Sequence, residues 1–274
     1  MTLSSRDFIG EFIGTFILVI FGCGSLVVTV LFNAHVGLWQ VAMVWGSGVA
    51  LAIYATRHLS CAHLNPAVSL AMVVGGRMTP ARLPGYLFGQ FMGAFAAAAV
   101  LYLLFSPSIA HYESLHGIVR GTPASVQTAM MFGEFYPNPG SRAVASVSTV
   151  TAFLAEGFGT FGLVFLIFVL TEGCNLGRPD DSLAPLFIGL AVTAIITVLA
   201  PLTQAGLNPA RDLAPRIFSM VAGWGKAALP DNRYGFLTVY VLGPIVGGVL
   251  AALFFTGVIE PLMKNSDNKN CNCQ

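Results

Sequence analysis

The sequence predicts an all-α membrane protein: six transmembrane helices and two re-entrant half-helices, arranged as an inverted repeat. Three observations carry this. The first is scarce charge, with 13 basic and 12 acidic side chains among 274 residues, 9% charged against 55% hydrophobic, where soluble domains run at about 25% charged. That balance excludes a soluble enzyme and a disordered chain, and a net charge of +1 offers no field to attract nucleic acid. The second is a set of apolar stretches of membrane-spanning length. The third is a motif pair that recurs in the second half of the chain.

A spanning helix needs about 20 mostly apolar residues to cross roughly 30 Å of hydrocarbon. Stretches at about 8–32, 39–57, 84–105, 148–170, 183–201 and 234–258 qualify. Helices are expected because lipid has no water to satisfy backbone groups, and the runs lack the alternation of a barrel. The first run follows Arg6 but is longer than a signal-peptide core and has no small-residue cleavage site, so it reads as a crossing. Both termini then lie on one side. Two apolar runs, about 66–75 and 209–222, are too short to span, and each begins at a proline. Such pieces sit at membrane depth only where protein covers them or water lines them, which points to an aqueous path.

Basic residues orient the chain weakly. Arg6, Arg57, Arg77, Arg82, Arg178, Lys264 and Lys269 fall on the side of the termini, and Arg120, Arg142, Arg211, Arg216, Lys226 and Arg233 on the other. Setting aside Arg120 and Arg142 in the long 106–147 connection and Arg211 in a short run leaves seven against three, which places the termini in the cytoplasm of a cell-membrane protein. Residues 1–260 form one channel domain, with repeats at about 5–105 and 148–260, and 261–274 a polar cytoplasmic tail. In that tail Cys271 and Cys273 are a C-x-C pair that lacks the partner ligands and CxxC spacing of a soft-metal site and falls outside the prenylation position, so a plain solvated tail is expected. No metal-ligand, Ser–His or paired-Asp constellation lies inside the spans, so no metal, cofactor or enzymatic site is expected.

The repetition is specific. Glu11-Phe12-Ile13-Gly14-Thr15-Phe16 returns 145 residues later as Glu156-Gly157-Phe158-Gly159-Thr160-Phe161, and Leu64-Asn65-Pro66-Ala67 returns 143 residues later as Leu207-Asn208-Pro209-Ala210. Tyr86, Gly89 and Gly93 match Tyr240, Gly243 and Gly247, 154 residues on. Each half holds three crossings, an odd number, so the halves insert in opposite senses. The two Asn-Pro-Ala runs then enter from opposite faces and meet near the midplane.

Proline suits the first position of a helix and asparagine its N-cap, where the side-chain oxygen accepts from a backbone N–H. The amide NH₂ is left as an outward donor. Two such caps meeting midway offer donors to a hydroxyl or water, while two positive helix ends, each roughly half a charge, oppose cations and hydronium.

With these boxes the chain resembles the major intrinsic protein family of aquaporins and glycerol facilitators, and looks like its bacterial aquaglyceroporin branch. Gly10–Thr15, Ala62–Val68 and Leu207–Asp212 carry the resemblance over most of residues 5–260; Asp212 after Arg211, Tyr136-Pro137-Asn138-Pro139 and a lengthened segment around 216–235 point to the glycerol branch. The resemblance implies an aquaporin-like bundle with one pore per subunit, in a homotetramer in the membrane lipid. It implies that Asn65, Pro66, Ala67, Asn208, Pro209 and Ala210 form the pore boxes, with Asn65 and Asn208 donating to the permeant. It implies a carbonyl ladder at Cys61, Ala62, His63, Leu64, then Gln204, Ala205, Gly206 and Leu207, and a selectivity filter of Trp45, Ile196, Ala205 and Arg211. Two filter positions depart from the glycerol pattern: Ala205 stands where a second aromatic is usual, and Ile196 where a glycine makes room. Tyr240 stands where that branch usually has proline.

Residue chemistry leaves choices open. Arg211 keeps its charge at any physiological pH and reads as a gatekeeper or as a snorkelling side chain; Trp45 reads as filter wall, interfacial anchor or bundle core. Glu11 and Glu156 are either a proton relay or structural acceptors for the re-entrant backbone. His63 reads as a pH switch or as a ring fixed beside the path. These three charges, Glu11, Glu156 and Arg211, are the ones placed at membrane depth, beside otherwise neutral polar groups. The expected function is passive passage of glycerol, other small neutral solutes and water, with ions and protons excluded. The alternative is a channel for water or another neutral solute (urea, ammonia, a metalloid hydroxide) with little glycerol flux. A secondary transporter shares the repeat but would need an ion-coupling site where this chain offers two uncharged amides.

Overall fold

The computed structural model describes residues 5–141, 146–230 and 234–266. Arg142, Arg233, Lys269, Cys271 and Cys273 lie outside the described residues. Six long helices are α1 (Ser5–Phe32), α2 (Leu38–Ser60), α4 (Leu83–Leu115), α5 (Thr149–Thr171), α6 (Ala184–Thr203) and α8 (Gly235–Lys264). Two short ones, α3 (Pro66–Val74) and α7 (Pro209–Ser219), begin at the repeated prolines. At 9 and 11 residues they are half the length needed to cross.

Two boundaries differ from expectation. The apolar run of the third crossing ends near 105, and Pro107 just beyond it lacks a backbone donor. Nevertheless α4 continues through Pro107 to Leu115. Tertiary contacts hold the extra turns: Ile109 is fully buried, and Glu113 accepts from Thr128 Oγ1 at 2.8 Å and pairs with Arg120 at 2.8 Å. The last helix likewise runs through Lys264, which pairs with Glu260 one turn earlier at 2.5 Å, so the expected start of the tail at 261 falls inside a helix.

Close backbone approaches set the bundle. A Cβ on Gly93 of α4 would lie 2.2 Å from Phe12 O of α1, and one on Gly247 of α8 would lie 1.9 Å from Gly157 O of α5. The glycine spacing in the third and sixth crossings therefore serves helix-on-helix contact. A third crossing point joins the halves: Gly46 of α2 and Gly189 of α6 meet reciprocally, each Cβ position within 2.4 Å of the other's carbonyl oxygen. Outward faces stay apolar, Phe158 for example being 73% exposed, as lipid or a neighbouring subunit requires.

This contact makes a stability prediction. Gly247→Ala should destabilise the detergent-solubilised protein by about 1–3 kcal/mol through overpacking. Gly257→Ala on the same helix, where an added Cβ meets nothing within 4 Å, should leave the thermal midpoint unchanged. Equal midpoints for the two variants would contradict the close-approach role.

Candidate functional site

The two loops that precede α3 and α7 repeat one conformation. Cys61, Ala62 and Leu64 have φ of 73°, 53° and 56°, and Gln204, Ala205 and Leu207 have φ of 62°, 57° and 55°. A left-handed non-glycine residue costs about 1–2 kcal/mol and persists only where the surroundings over-determine it. The buried carboxylates do this. Glu11 accepts from the backbone N–H groups of His63 at 2.9 Å and Leu64 at 2.7 Å, and from Ser60 Oγ at 2.7 Å and Gln90 Nε2 at 2.7 Å. Glu156 accepts from the N–H groups of Gly206 at 2.9 Å and Leu207 at 2.7 Å, and from Thr203 Oγ1 at 2.6 Å. With their N–H groups taken, the loops keep their carbonyl oxygens as acceptors.

The rest of the Glu-x-x-Gly motif follows from the same packing. One turn beyond each glutamate, a Cβ on Gly14 would lie 2.3 Å from Leu64 Cδ2, and one on Gly159 would lie 2.6 Å from Leu207 Cδ2. The glutamate holds the loop backbone and the glycine makes room for its leucine.

The asparagines cap as their type dictates. Asn65 Oδ1 accepts from Ala67 N at 2.9 Å, and Asn208 Oδ1 accepts from Ala210 N at 3.0 Å and Arg211 N at 3.2 Å. Their amides also cross the repeat: Asn65 Nδ2 donates to Leu207 O at 2.8 Å, and Asn208 Nδ2 donates to Leu64 O at 2.7 Å. An amide has two N–H donors, so each asparagine ties the other half's loop with one and has a second to offer.

Both asparagines line a cavity of about 420 Å³, together with Cys61–Leu64 and Ala205–Leu207. Its other wall is apolar, with Leu18, Val49, Ile53, Ile188 and Val192. A second cavity of about 260 Å³ is lined by His35, Asn138 and Gln204 among others. Trp45, Ile196 and Arg211 line both cavities, so they mark the constriction between them, and Ala205 faces the larger one. The structure thus brings three of the four filter candidates together where the cavities meet, with Ala205 on the wall of the larger one. Every ladder candidate lines one cavity or the other, Gln204 alone belonging to the smaller.

Charge at this level corrects the expectation of three buried ionic groups. Glu134, Asp212 and Arg216 are also fully buried. Arg211 pairs with Glu134, and its guanidinium lies 4.0 Å over the Trp45 ring. Asp212 pairs with Arg216 at 2.6 Å and accepts from Glu134 N at 2.7 Å. Buried charges require partners, and these pairs clamp the 131–138 segment onto the start of α7. Gln204 Oε1 accepts from Phe135 N at 2.8 Å, and Asn138 Nδ2 donates to Ala200 O at 2.7 Å, closing the same clamp on α6. The Asp212/Arg216 spacing on a helix was a usable signal. Glu134 carried none, because it sits in a long connection without repeat or periodicity.

Two further residues find their places. The Tyr240 hydroxyl donates to Thr203 O at 3.0 Å, and its ring comes 2.9 Å from where a Cβ on Gly206 would stand, so it buttresses the second loop from behind. The His63 ring packs against Tyr86 at a 50° tilt, ring centres 4.7 Å apart, with Nδ1 3.2 Å from Ser69 Oγ. Cys61 is exposed and lines the larger cavity, whereas Cys23 is buried in the core. A mercurial should therefore block flux in the parent chain and lose its effect on Cys61→Ser; equal block of that variant would assign inhibition elsewhere.

Fold and site together define an inverted-repeat helical membrane protein with a polar-on-one-side path through each chain. The sequence model of the family described as Major intrinsic protein matches residues 1–255, and the chain belongs to that family. A glycerol uptake facilitator protein of Haemophilus influenzae is 40% identical over 266 residues, 97% of each chain. That of Escherichia coli is 39% identical over 252 residues, 92% of this chain and 87% of its own. A propanediol uptake facilitator of Salmonella typhimurium is 36% identical over 246 residues, 89% of this chain and 90% of its own. The X-ray structure of the aquaglyceroporin from Plasmodium falciparum superposes with a TM-score of 0.82 at 28% identity, covering 95% of this chain and 98% of that one.

Proposed function

We propose that this chain is a passive transmembrane channel for glycerol and other small neutral solutes, with water, that excludes ions and protons. The observation that carries the reading is the pair of asparagine caps, each holding the opposite loop and keeping one donor beside the cavity. A hydroxyl chain can exchange water for that donor and for loop carbonyls, while its carbons face Leu18, Val49 and Ile53. Ions gain no such exchange, since two helix N-termini and Arg211 present positive potential. Relatives named as glycerol uptake facilitators support glycerol as the permeant. The site calls for no cofactor and no catalysis.

In this reading the chain works as a homotetramer in the cell membrane with its termini in the cytoplasm. Arg216 is fully buried and paired, so it drops from the orientation count and leaves the basic excess on the terminal side stronger. The second reading, a channel passing water or another neutral solute with little glycerol, is favoured by Ile196 at the constriction and by Ala205 in place of a ring.

Proteoliposomes in a glycerol gradient decide between them. The expected result is shrinkage followed by reswelling faster than in empty vesicles. Water flow without faster reswelling would select the second reading, and uphill accumulation on a proton gradient would end the channel reading. Removing Arg211 alone would leave Glu134 buried and unpaired, so charge exclusion is tested on Arg211→Ala/Glu134→Gln. Proton or cation conductance should rise in that variant, and unchanged conductance would remove Arg211 from its assigned role.

A further inference from the structure

We propose that Gly22 of α1, which lines neither described cavity, sets the width of the constriction by fixing where the Trp45 ring stands. This rests on the filter reading above. A Cβ on Gly22 would lie 2.1 Å from Trp45 Cζ3, 2.2 Å from Cε3 and 2.3 Å from Cη2. An atom placed outward in the ring plane would stand markedly nearer Cζ3 than the two flanking carbons. Near-equal distances instead put the Cβ position over the ring face, so the six-membered ring lies flat on the bare Cα of Gly22.

That face is taken by the α1 backbone, which leaves the other to the Arg211 guanidinium, 4.0 Å from the ring centre. Trp45 is therefore sandwiched between a helix backbone and the filter arginine. Arg211 is held by its pair with Glu134 and cannot retreat. Any side chain at position 22 drives the ring along its normal, into the level it shares with Ile196 and Arg211. Glycine in a helix interior is otherwise unfavourable by about 1 kcal/mol relative to alanine, so its place here needs a packing reason, and the ring seat supplies one. Other glycines of α1 serve differently: a Cβ on Gly24 meets only Leu101 Cδ2 at an ordinary 3.5 Å.

The test is a double-variant cycle in proteoliposomes, with glycerol and water permeability normalised to inserted protein. Gly22→Ala should lower glycerol flux by about tenfold or more, as one misplaced methyl group does in a close-fitting site, and lower water flux less. Gly24→Ala should change neither. In a Trp45→Phe background, whose smaller ring lacks the overlapped carbons, adding Gly22→Ala should leave the glycerol-to-water ratio where Trp45→Phe alone puts it. A proportional fall of both fluxes, the same change in both backgrounds, or the same effect from Gly24→Ala would overturn the proposal. Should Gly22→Ala fail to insert, the double variant decides: insertion restored with the Trp45→Phe ratio supports the ring seat, and insertion still lost overturns it. If the parent chain passes no glycerol, the permeant reading fails separately. The cycle is then read on water flux, which Gly22→Ala should reduce only when Trp45 is present.

Discussion

Two buried carboxylates hold the centre of this molecule in shape. Each re-entrant loop carries three non-glycine residues in the left-handed region, a conformation an unsupported chain abandons. Glu11 and Glu156 remove the incentive to relax by taking the loop N–H groups in charge-assisted bonds. Because the N–H groups are engaged on one side, the carbonyl oxygens are left to accept, as the proposed conduction requires and as Leu64 O and Leu207 O already do from the asparagine amides. The strain and the proposed conduction are thus two aspects of one arrangement.

The same economy appears at the asparagines. A half-helix buried at membrane depth must have its N-terminal N–H groups capped, and a side-chain amide can cap with its oxygen while donating twice with its nitrogen. One donor locks the opposite repeat and one remains. Neither half can form the site alone, since Asn65 needs Leu207 O and Asn208 needs Leu64 O. The inverted repeat is therefore required by hydrogen-bond satisfaction, in addition to its role in placing two short helices end to end.

Charge follows a different logic. Glu11 and Glu156 are matched supports, but Arg211 has no partner of its type in the first half, where Val68 follows Ala67. Its burial is balanced by Glu134 from a segment outside the repeat, and that segment is itself pinned by the Asp212–Arg216 pair. The constriction is the place where the two-fold pattern is broken. Of the three residues that depart from the expected glycerol pattern, Ile196 lines both cavities, Ala205 the larger one, and Tyr240 packs behind Gly206, all in the second half.

What the sequence determined by itself was set by lipid and by repetition. Long apolar runs have one economical form in a medium without water, and two Asn-Pro-Ala boxes with a common offset predict two half-helices that meet. The glutamate and asparagine positions were legible because motif and chemistry coincided. Tertiary structure alone decided the rest. The length of α4 depended on Glu113 finding Thr128 and Arg120; the neutralisation of Arg211 depended on where the 131–138 segment folds back. The seat of Trp45 depended on Gly22, a residue 23 positions away with no chemistry of its own. Contacts between elements that share no periodicity leave no local trace in a sequence, because the energy that selects them arises only when both partners are already in place.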